Sequence, residues 1–189
     1  MQERFSFLQK GGVPVAGIVK TYAQSAPSMR LAGRRYKNSD RQNGTFAHLW
    51  DQWFTQGLFE PLEKLSAPIP GYADQDAYLG FMQVDEDDPD AFCYWIGMFL
   101  RENTPVPDGY EYLDVPANKM HIAWIRGKAD TGEVYACNED VCLKALAENG
   151  LPTRAQQGKW ACMERYQCPR FTTPDAENCI VLDFCFLNQ

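Results

Sequence analysis

A glutamate set among aromatic side chains is the first feature of this sequence that points to chemistry. Residues 160–168 read Trp-Ala-Cys-Met-Glu-Arg-Tyr-Gln-Cys, a pattern that predicts a β-strand. Because successive side chains of a strand point to opposite faces, Glu164 shares a face with Trp160 and Tyr166. Met163 lies on the other face and suits a core. The sequence therefore predicts a carboxylate beside two large rings within a sheet.

The surroundings of Glu164 have three alternative explanations. Burying a carboxylate is unfavourable unless a partner compensates its charge. A salt bridge to an arginine such as Arg126 or Arg34 would do so, and so would an open pocket that accepts a cationic or hydrogen-bonding ligand. An exposed edge strand would instead leave Glu164 in water. The strand pattern by itself leaves all three open.

The composition excludes some classes of function. The chain has 189 residues, which fits one domain or two small fused halves, and 45% of them are hydrophobic. Its net charge of -7 argues against direct nucleic-acid binding, since such binding depends largely on Lys and Arg. The same charge disfavours anionic membranes and favours cationic ligands.

Cysteine and histidine usage indicates neither disulfides nor a metal site. The seven cysteines are odd in number and contain no C-x-x-C pair, which is typical of free thiols in a reducing compartment. His48 and His121 have no further Cys or His at ligand spacing, so we expect no metal and no cofactor. The chain start lacks a signal-peptide pattern, and no apolar run approaches the ~18 residues of a membrane span. We therefore expect a cytoplasmic protein.

Periodicity places these residues on a succession of strands and two main helices. Strands are predicted over residues 28–36, 77–84, 91–100, 110–115, 118–126, 160–167 and 179–187. A first helix follows Thr45 as its cap, ends at Gly57, and has an apolar stripe of Phe46, Leu49, Trp50, Trp53 and Phe54. A second begins near Thr131, with Asp130 and Glu133 at capping-box spacing and a stripe of Val134, Cys137, Val141, Cys142 and Ala145. Residues 1–26 are expected to form an N-terminal arm.

The order strand, helix, strand, strand occurs twice, over about residues 27–101 and 118–188. The segment Met29-Arg30-Leu31-Ala32 resembles Met120-His121-Ile122-Ala123, and Met82 occupies the position equivalent to Glu164. This repeat predicts an α+β fold. Its two pseudo-symmetric halves would form a central antiparallel sheet, with a ligand groove on one face and the helices on the other.

From about Ser28 to Leu187 the sequence resembles the GyrI-like small-molecule-binding domains, which also serve as effector-binding domains of AraC-type and MerR-type multidrug regulators. The residues that carry the resemblance are the helical segment Phe46-Ala47-His48-Leu49-Trp50, the strand segment Phe92-Cys93-Tyr94, the turn Pro107-Asp108-Gly109-Tyr110, and Met163-Glu164-Arg165-Tyr166. The resemblance implies one GyrI-like domain over residues 27–189. It also implies a cleft for bulky, cationic aromatic ligands, in which Glu164 neutralises the ligand charge and Tyr and Trp rings stack on it. The expected ligand-binding residues are Glu164, Tyr166, Trp160, Tyr94, Tyr78, Met82 and Trp124.

Regulators of this family carry a separate DNA-binding domain, for which this chain has no room, so a stand-alone form is expected. The leading interpretation is a stand-alone binding protein for bulky aromatic or lipophilic cations. One alternative is a small-molecule hydrolase in which Glu164 acts as general base on water. A second is a gyrase-inhibitor-like interaction protein, which ranks last because the negative charges are scattered outside the acidic segment Asp85–Asp90. A homodimer remains an open alternative.

Overall fold

A computed structural model of the chain describes residues 16–84, 92–137, 139–151 and 161–188. In this part of the chain the strands are β1 (Gly17–Ala26), β2 (Met29–Lys37), β3 (Tyr78–Val84), β4 (Phe92–Arg101), β5 (Glu111–Val115), β6 (Asn118–Lys128), β7 (Ala161–Arg165) and β8 (Cys179–Asn188). The helices are α1 (Ala47–Thr55), α2 (Glu60–Glu63), α3 (Glu139–Glu148) and α4 (Pro169–Thr172). Short 3-10 turns lie at Asn38–Asp40 and Glu133–Ala136.

The described strands form one antiparallel sheet in the order β1-β6-β8-β7-β3-β4-β2-β5. The sheet and the four helices confirm the predicted α+β fold. Strand β7 lies between β8 and β3 near the middle of the sheet. This position excludes the alternative in which Glu164 belongs to an exposed edge strand.

The strand order is symmetric about the β3–β7 pair. On one side it runs β3-β4-β2-β5, and on the other β7-β8-β6-β1. Strand β1 thus adds to β6 as β5 adds to β2. The sequence pattern did not reveal β1, which falls in the range expected as an N-terminal arm. The order is compatible with the predicted repeat.

The two faces of the sheet bury separate sets of side chains. The back face carries one cluster from strands of both halves, including Leu31, Leu79, Phe81, Phe99, Ile122 and Met163. The front face carries two clusters, one beneath α1 and α2 and one beneath α3. Tyr166 and Met82 contact both front-face clusters, so the two meet beside Glu164.

The predicted division of the faces is wrong in one respect. The helices were expected on the face opposite the groove, yet α1 and α3 lie on the front face, the one that carries Glu164. Leu49 and Trp53 of α1 and Cys142 and Leu146 of α3 supply their buried sides. The back-face cluster combines strand residues from both halves of the sheet with Ile69 and Tyr72 of the segment before β3.

Helix α1 buries Leu49 and Trp53 of the predicted stripe, whereas Trp50 is half-buried and Phe54 is 56% exposed. Trp53 is fully buried and its indole N–H donates to the Tyr36 hydroxyl at 2.8 Å. The helix ends before Gly57, which has a positive φ of 62° as expected at this position. The cap differs from the prediction: Phe46 is the capping residue, and Thr45 Oγ1 accepts only a long 3.4 Å contact from the Ala47 N–H.

The second predicted helix is interrupted. Residues 133–136 form a 3-10 turn, and α3 begins only at Glu139. The expected capping box is absent, since Glu133 Oε2 accepts from the Lys128 backbone N–H at 3.3 Å. Val141, predicted for the apolar stripe, is 45% exposed because the break changes which side of the helix faces the sheet.

All seven cysteines are free thiols, and all except Cys137 are buried. None of the helices in the described ranges has the length and apolar character needed to cross a bilayer. The acidic segment Asp85–Asp90 lies outside the described residues.

Candidate functional site

Strand β7 places Glu164 between two unlike neighbours on the front face. In the sheet register Glu164 lies opposite Gly80 of β3 and Phe184 of β8. Gly80 has no side chain, and the Tyr94 hydroxyl occupies the space that a β-carbon there would take. Such a β-carbon would also lie 3.5 Å from Glu164 Oε2. The glycine therefore lets a tyrosine hydroxyl and a carboxylate approach each other over the sheet.

Glu164 has one hydrogen-bond partner among the described residues. The Tyr166 hydroxyl donates to its Oε2 at 2.5 Å. No Lys or Arg of the described ranges forms a salt bridge with it. Arg126 instead pairs with Asp175 and Glu177, each at 2.7 Å.

The other arginine considered as a partner of Glu164 is also engaged elsewhere. The Arg34 guanidinium lies 5.5 Å from the centre of the Tyr110 ring. Both salt bridges considered from the sequence are therefore excluded, and the Glu164 carboxylate has no cationic partner within the described residues.

Aromatic rings from both halves of the chain surround this carboxylate. The Tyr166 ring meets the Trp50 ring edge-on at 4.8 Å and lies 6.5 Å from Tyr135. The Trp50 indole N–H donates to the Tyr94 hydroxyl at 2.9 Å. We refer to Glu164, Tyr166, Tyr94, Trp50 and Tyr135 as the Glu164 cluster.

Further rings hold the cluster in place. Tyr94 stacks on Phe46 at 4.1 Å with nearly parallel planes, and Phe171 of α4 meets Tyr166 edge-on at 5.2 Å. Stacked and edge-to-face pairs at these separations are favourable beyond the area that they bury. The rings of the cluster are therefore positioned before any ligand arrives.

Burial dominates the electrostatics of the cluster. It raises the pKa of Glu164, while the hydrogen bond from Tyr166 opposes that rise by stabilising the carboxylate. Burial also raises the pKa of Tyr94, and the nearby charge of Glu164 raises it further. The same two causes, in the same order, raise the pKa of Tyr135. The hydroxyls of Tyr94, Tyr135 and Tyr166 thus remain protonated beside one acidic group.

The cluster is only partly shielded from solvent. Glu164, Tyr166 and Trp50 are half-buried, and Tyr135 is 55% exposed. Phe54, which is 56% exposed, lies 6.1 Å from Trp50. Exposed rings therefore flank the cluster both on α1 and on the 3-10 turn Glu133–Ala136.

Tyr78 and Met82 lie on the same face at either side of Gly80. The Tyr78 ring stacks on Phe59 at 3.7 Å, and its hydroxyl donates to Glu63. Tyr78 also lines a cavity of about 220 Å³ that is separate from Glu164. Met82 is half-buried opposite Cys162, as Glu164 is opposite Gly80.

Of the two tryptophans predicted to bind the ligand, Trp124 does not join the cluster. Trp124 lies on the back face, 5.8 Å from Tyr22 and with the Lys20 ammonium 4.4 Å from its ring centre. Trp160 lies outside the described residues. Of the predicted residues, the structure thus brings together Glu164, Tyr166 and Tyr94. Met82 and Tyr78 lie on the same face of β3, each two residues from Gly80.

The sequence pattern missed part of the cluster. Trp50 was assigned only to the apolar stripe of the first helix. In the structure it contacts Tyr94 of β4 and Tyr166. Tyr135 and Phe171 were not singled out. Each belongs to a segment of four residues, which is too short for a hydrophobic period to show where the side chain points. In the described part of the chain, no three metal-ligating side chains come together.

Comparisons with known proteins agree on the fold. SAV2435 bound to tetraphenylphosphonium has a TM-score of 0.63 at 16% identity, over 90% of this chain and 94% of that chain. A crystal structure described as a bacterial transcription regulation protein, from Staphylococcus aureus MU50, has a TM-score of 0.59 at 15% identity, over 89% and 97%. EcmrR in a complex with DNA has a TM-score of 0.52 at 11% identity, over 94% of this chain and 59% of that one.

No family model matches the sequence. No curated protein matches it either. The three structures confirm the fold that the resemblance to GyrI-like effector-binding domains implied.

Proposed function

We propose that this chain binds bulky aromatic or lipophilic cations at the Glu164 cluster. The observation that carries the proposal is a half-buried carboxylate among aromatic rings that lacks a cationic partner within the described residues. A buried charge of this kind is unfavourable until an opposite charge arrives. A ligand cation would supply that charge.

The rings define the shape and chemistry of the expected ligand. The Trp50 and Tyr135 rings lie 4.8 Å and 6.5 Å from the ring of Tyr166, whose hydroxyl donates to the carboxylate. Aromatic faces attract cations by roughly 0.5–2 kcal/mol each, and they also bury the apolar substituents of the ligand. An ammonium or phosphonium with aryl groups meets both requirements, whereas a small hydrated cation meets only one.

The structural neighbour SAV2435 supports the choice of probe, because it was solved with tetraphenylphosphonium. Calorimetric titration with tetraphenylphosphonium is the direct test, repeated with the Glu164→Gln variant. A unit charge pair about 6 Å apart is worth on the order of 3 kcal/mol at a dielectric constant of about 20. We therefore expect a roughly 100-fold weaker Kd in the variant.

Two controls separate a local ion pair from general attraction to an acidic protein. The Glu177→Gln variant removes the same charge at a distant, exposed site and should bind as the wild type does. Tetraphenylborate has the shape of the phosphonium with the opposite charge and should not bind. Equal affinity of the wild type and Glu164→Gln, or binding of both probes, would refute the proposal.

A second candidate function is hydrolysis of a reactive small molecule, because the raised pKa of Glu164 suits a general base. In that reaction the carboxylate would take a proton from water as the water attacks an electrophilic ligand. Product formation from a strained-ring electrophile, followed by mass spectrometry and lost in Glu164→Gln, would establish it. Binding without product formation leaves the first proposal in place.

A further inference from the structure

The residue after Glu164 carries an opposite charge to the opposite face of the sheet. Arg165 is 0% exposed on the back face, where its guanidinium pairs with Asp183 at 2.5 Å and with Asp74 at 2.7 Å. Arg170 also contacts both carboxylates, and its Nε donates to Asp183 Oδ1 at 2.6 Å. We refer to Asp74, Arg165, Arg170 and Asp183 as the ionic cluster.

The ionic cluster is balanced and tightly held. Two guanidinium groups face two carboxylates, and Asp183 is buried with Arg165. Breaking a buried pair by removing one partner is strongly destabilising, because a charge is left uncompensated. The members of the cluster therefore stay together, and each fixes the backbone segment to which it belongs.

Helix α4 links this cluster to the front face. Arg170 belongs to the ionic cluster, and the next residue, Phe171, meets the Tyr166 ring at 5.2 Å. Between Tyr166 and α4 the chain turns at Gln167, whose φ is 63°. Tyr166 itself is held by a 2.8 Å backbone hydrogen bond from its N–H to the Tyr78 carbonyl oxygen. The segment from Glu164 to Phe171 thus passes from one face to the other and is anchored on both.

We propose that Arg170 is a positioning residue for the proposed binding site, acting through α4 and Phe171 to hold the Tyr166 hydroxyl on Glu164. This inference rests on the proposed function of Glu164 as the ligand's counter-charge. If α4 loses its ionic anchor, Phe171 no longer supports the Tyr166 ring. The hydrogen bond that stabilises the Glu164 carboxylate is then weakened, and the carboxylate becomes harder to ionise.

The other titratable groups facing Glu164 do not interfere with a titration of its carboxylate. They are Tyr94 on β4, Tyr135 on the 3-10 turn, Cys162 on β7, Tyr166 directly after β7 and Cys142 on α3, with Glu139 of α3 facing Cys162. Burial raises the pKa of each of these tyrosines and cysteines, so they remain neutral at acidic and neutral pH. Changes in that range report on carboxylates, and the Glu164→Gln variant identifies the signal of Glu164.

The test follows the ionisation of Glu164 directly by carbon-13 NMR of labelled glutamate in the ligand-free protein. In Arg170→Met we expect the pKa of Glu164 to rise by about 1, and tetraphenylphosphonium to bind several-fold more weakly at pH 6. The two proteins should converge at high pH. Arg170→Lys keeps the positive charge, so its Glu164 pKa and its affinity for tetraphenylphosphonium should be close to those of the wild type.

Further variants separate positioning from the mere loss of a positive charge. Phe171→Leu changes no charge and should raise the pKa of Glu164 as Arg170→Met does. Arg126→Gln removes a positive charge outside the ionic cluster and should leave that pKa unchanged. If Arg170→Met does not fold, Phe171→Leu decides, and an unchanged Glu164 titration in Phe171→Leu overturns the inference. Because the NMR titration needs no ligand, a wild type that fails to bind the phosphonium refutes only the proposed function.

Discussion

Gly80 lies directly opposite Glu164 in the β3–β7 pair, and its missing side chain leaves room for the Tyr94 hydroxyl beside the carboxylate. The tyrosine hydroxyl is fixed there by the Trp50 indole N–H and by the stack on Phe46. A single small residue thus allows the Tyr94 hydroxyl to lie beside Glu164 within the cluster.

The Gly80→Ala variant tests this relationship. Its β-carbon would overlap the Tyr94 hydroxyl and displace it from Trp50. We expect tetraphenylphosphonium to bind at least roughly tenfold more weakly, and the free energy of unfolding to fall by about 1–3 kcal/mol, as for other overpacked sites. Calorimetry and urea denaturation measure the two effects.

Gly17→Ala is the matched control for that variant. A β-carbon at Gly17 has nothing within 4 Å, and Gly17 is also a strand residue. Its affinity and stability should match the wild type. Unchanged binding in Gly80→Ala would show that the position of the Tyr94 hydroxyl does not matter for the ligand.

The affinity for a cation should depend on pH through Glu164. A bound cation favours the carboxylate, so binding releases a proton wherever free Glu164 is protonated. Because burial raises the pKa of free Glu164, affinity should increase with pH up to that raised pKa and then level off. The slope should reach at most about tenfold per pH unit. Titrations from pH 4 to pH 8 measure it, and Glu164→Gln should give a flat profile.

The same carboxylate should destabilise the folded protein in the absence of ligand. The pKa of Glu164 is higher in the folded state than in the unfolded chain, so the folded state binds more protons between the two values. The stabilising contribution of protonated Glu164 to the free energy of unfolding is therefore fully present below the pKa of the unfolded chain. It is lost as pH rises through the higher pKa of the folded state. Glu164→Gln avoids this loss and should raise Tm by a few degrees at pH 7.5.

Scanning calorimetry at several pH values measures this difference. The gain in Tm of Glu164→Gln over the wild type should vanish near pH 4, where both side chains are neutral. A variant that is less stable than the wild type at pH 7.5 would contradict the prediction, because it would mean that the partners of the ionised carboxylate in the folded protein outweigh the cost of burying it.

Local alternation was enough to place Glu164 on the correct face of its strand. The pattern of β7 predicted that Glu164 and Met163 point to opposite faces, and Met163 lies in the back-face core. The continuous apolar run of β4 predicted a strand buried on both faces, and its residues from Cys93 to Leu100 are buried. Both predictions needed only the two-residue period of a single strand.

The face of Trp124 could not be read in the same way. It depends on the register between strands that are distant in the sequence: Trp124 pairs with Asp183, which pairs with Arg165, and Ala123 belongs to the row that contains Phe184 and Glu164. One residue of register decides between the two faces. The ionic cluster was missed for the same reason, since Arg165 and Asp183 meet only once β7 and β8 are aligned.

The helices were misplaced because amphipathicity shows that a helix covers a sheet but not which face it covers. The stripe of α1 is real, but nothing in the sequence links Trp50 to Tyr94 on a later strand. The break between the 3-10 turn and α3 also has no periodic signal, which is why the direction of Tyr135 was not foreseen.

The pairing of β3 with β7 has a consequence for how the protein is made. During synthesis the first half can assemble β2, β4 and β3 from neighbouring segments, but β3 then presents an open edge until β7 has left the ribosome. Pairing between such distant segments is a slow step in folding. The arrival of β7 covers that edge and brings in Glu164, so closure of the central sheet and completion of the Glu164 cluster are one folding event.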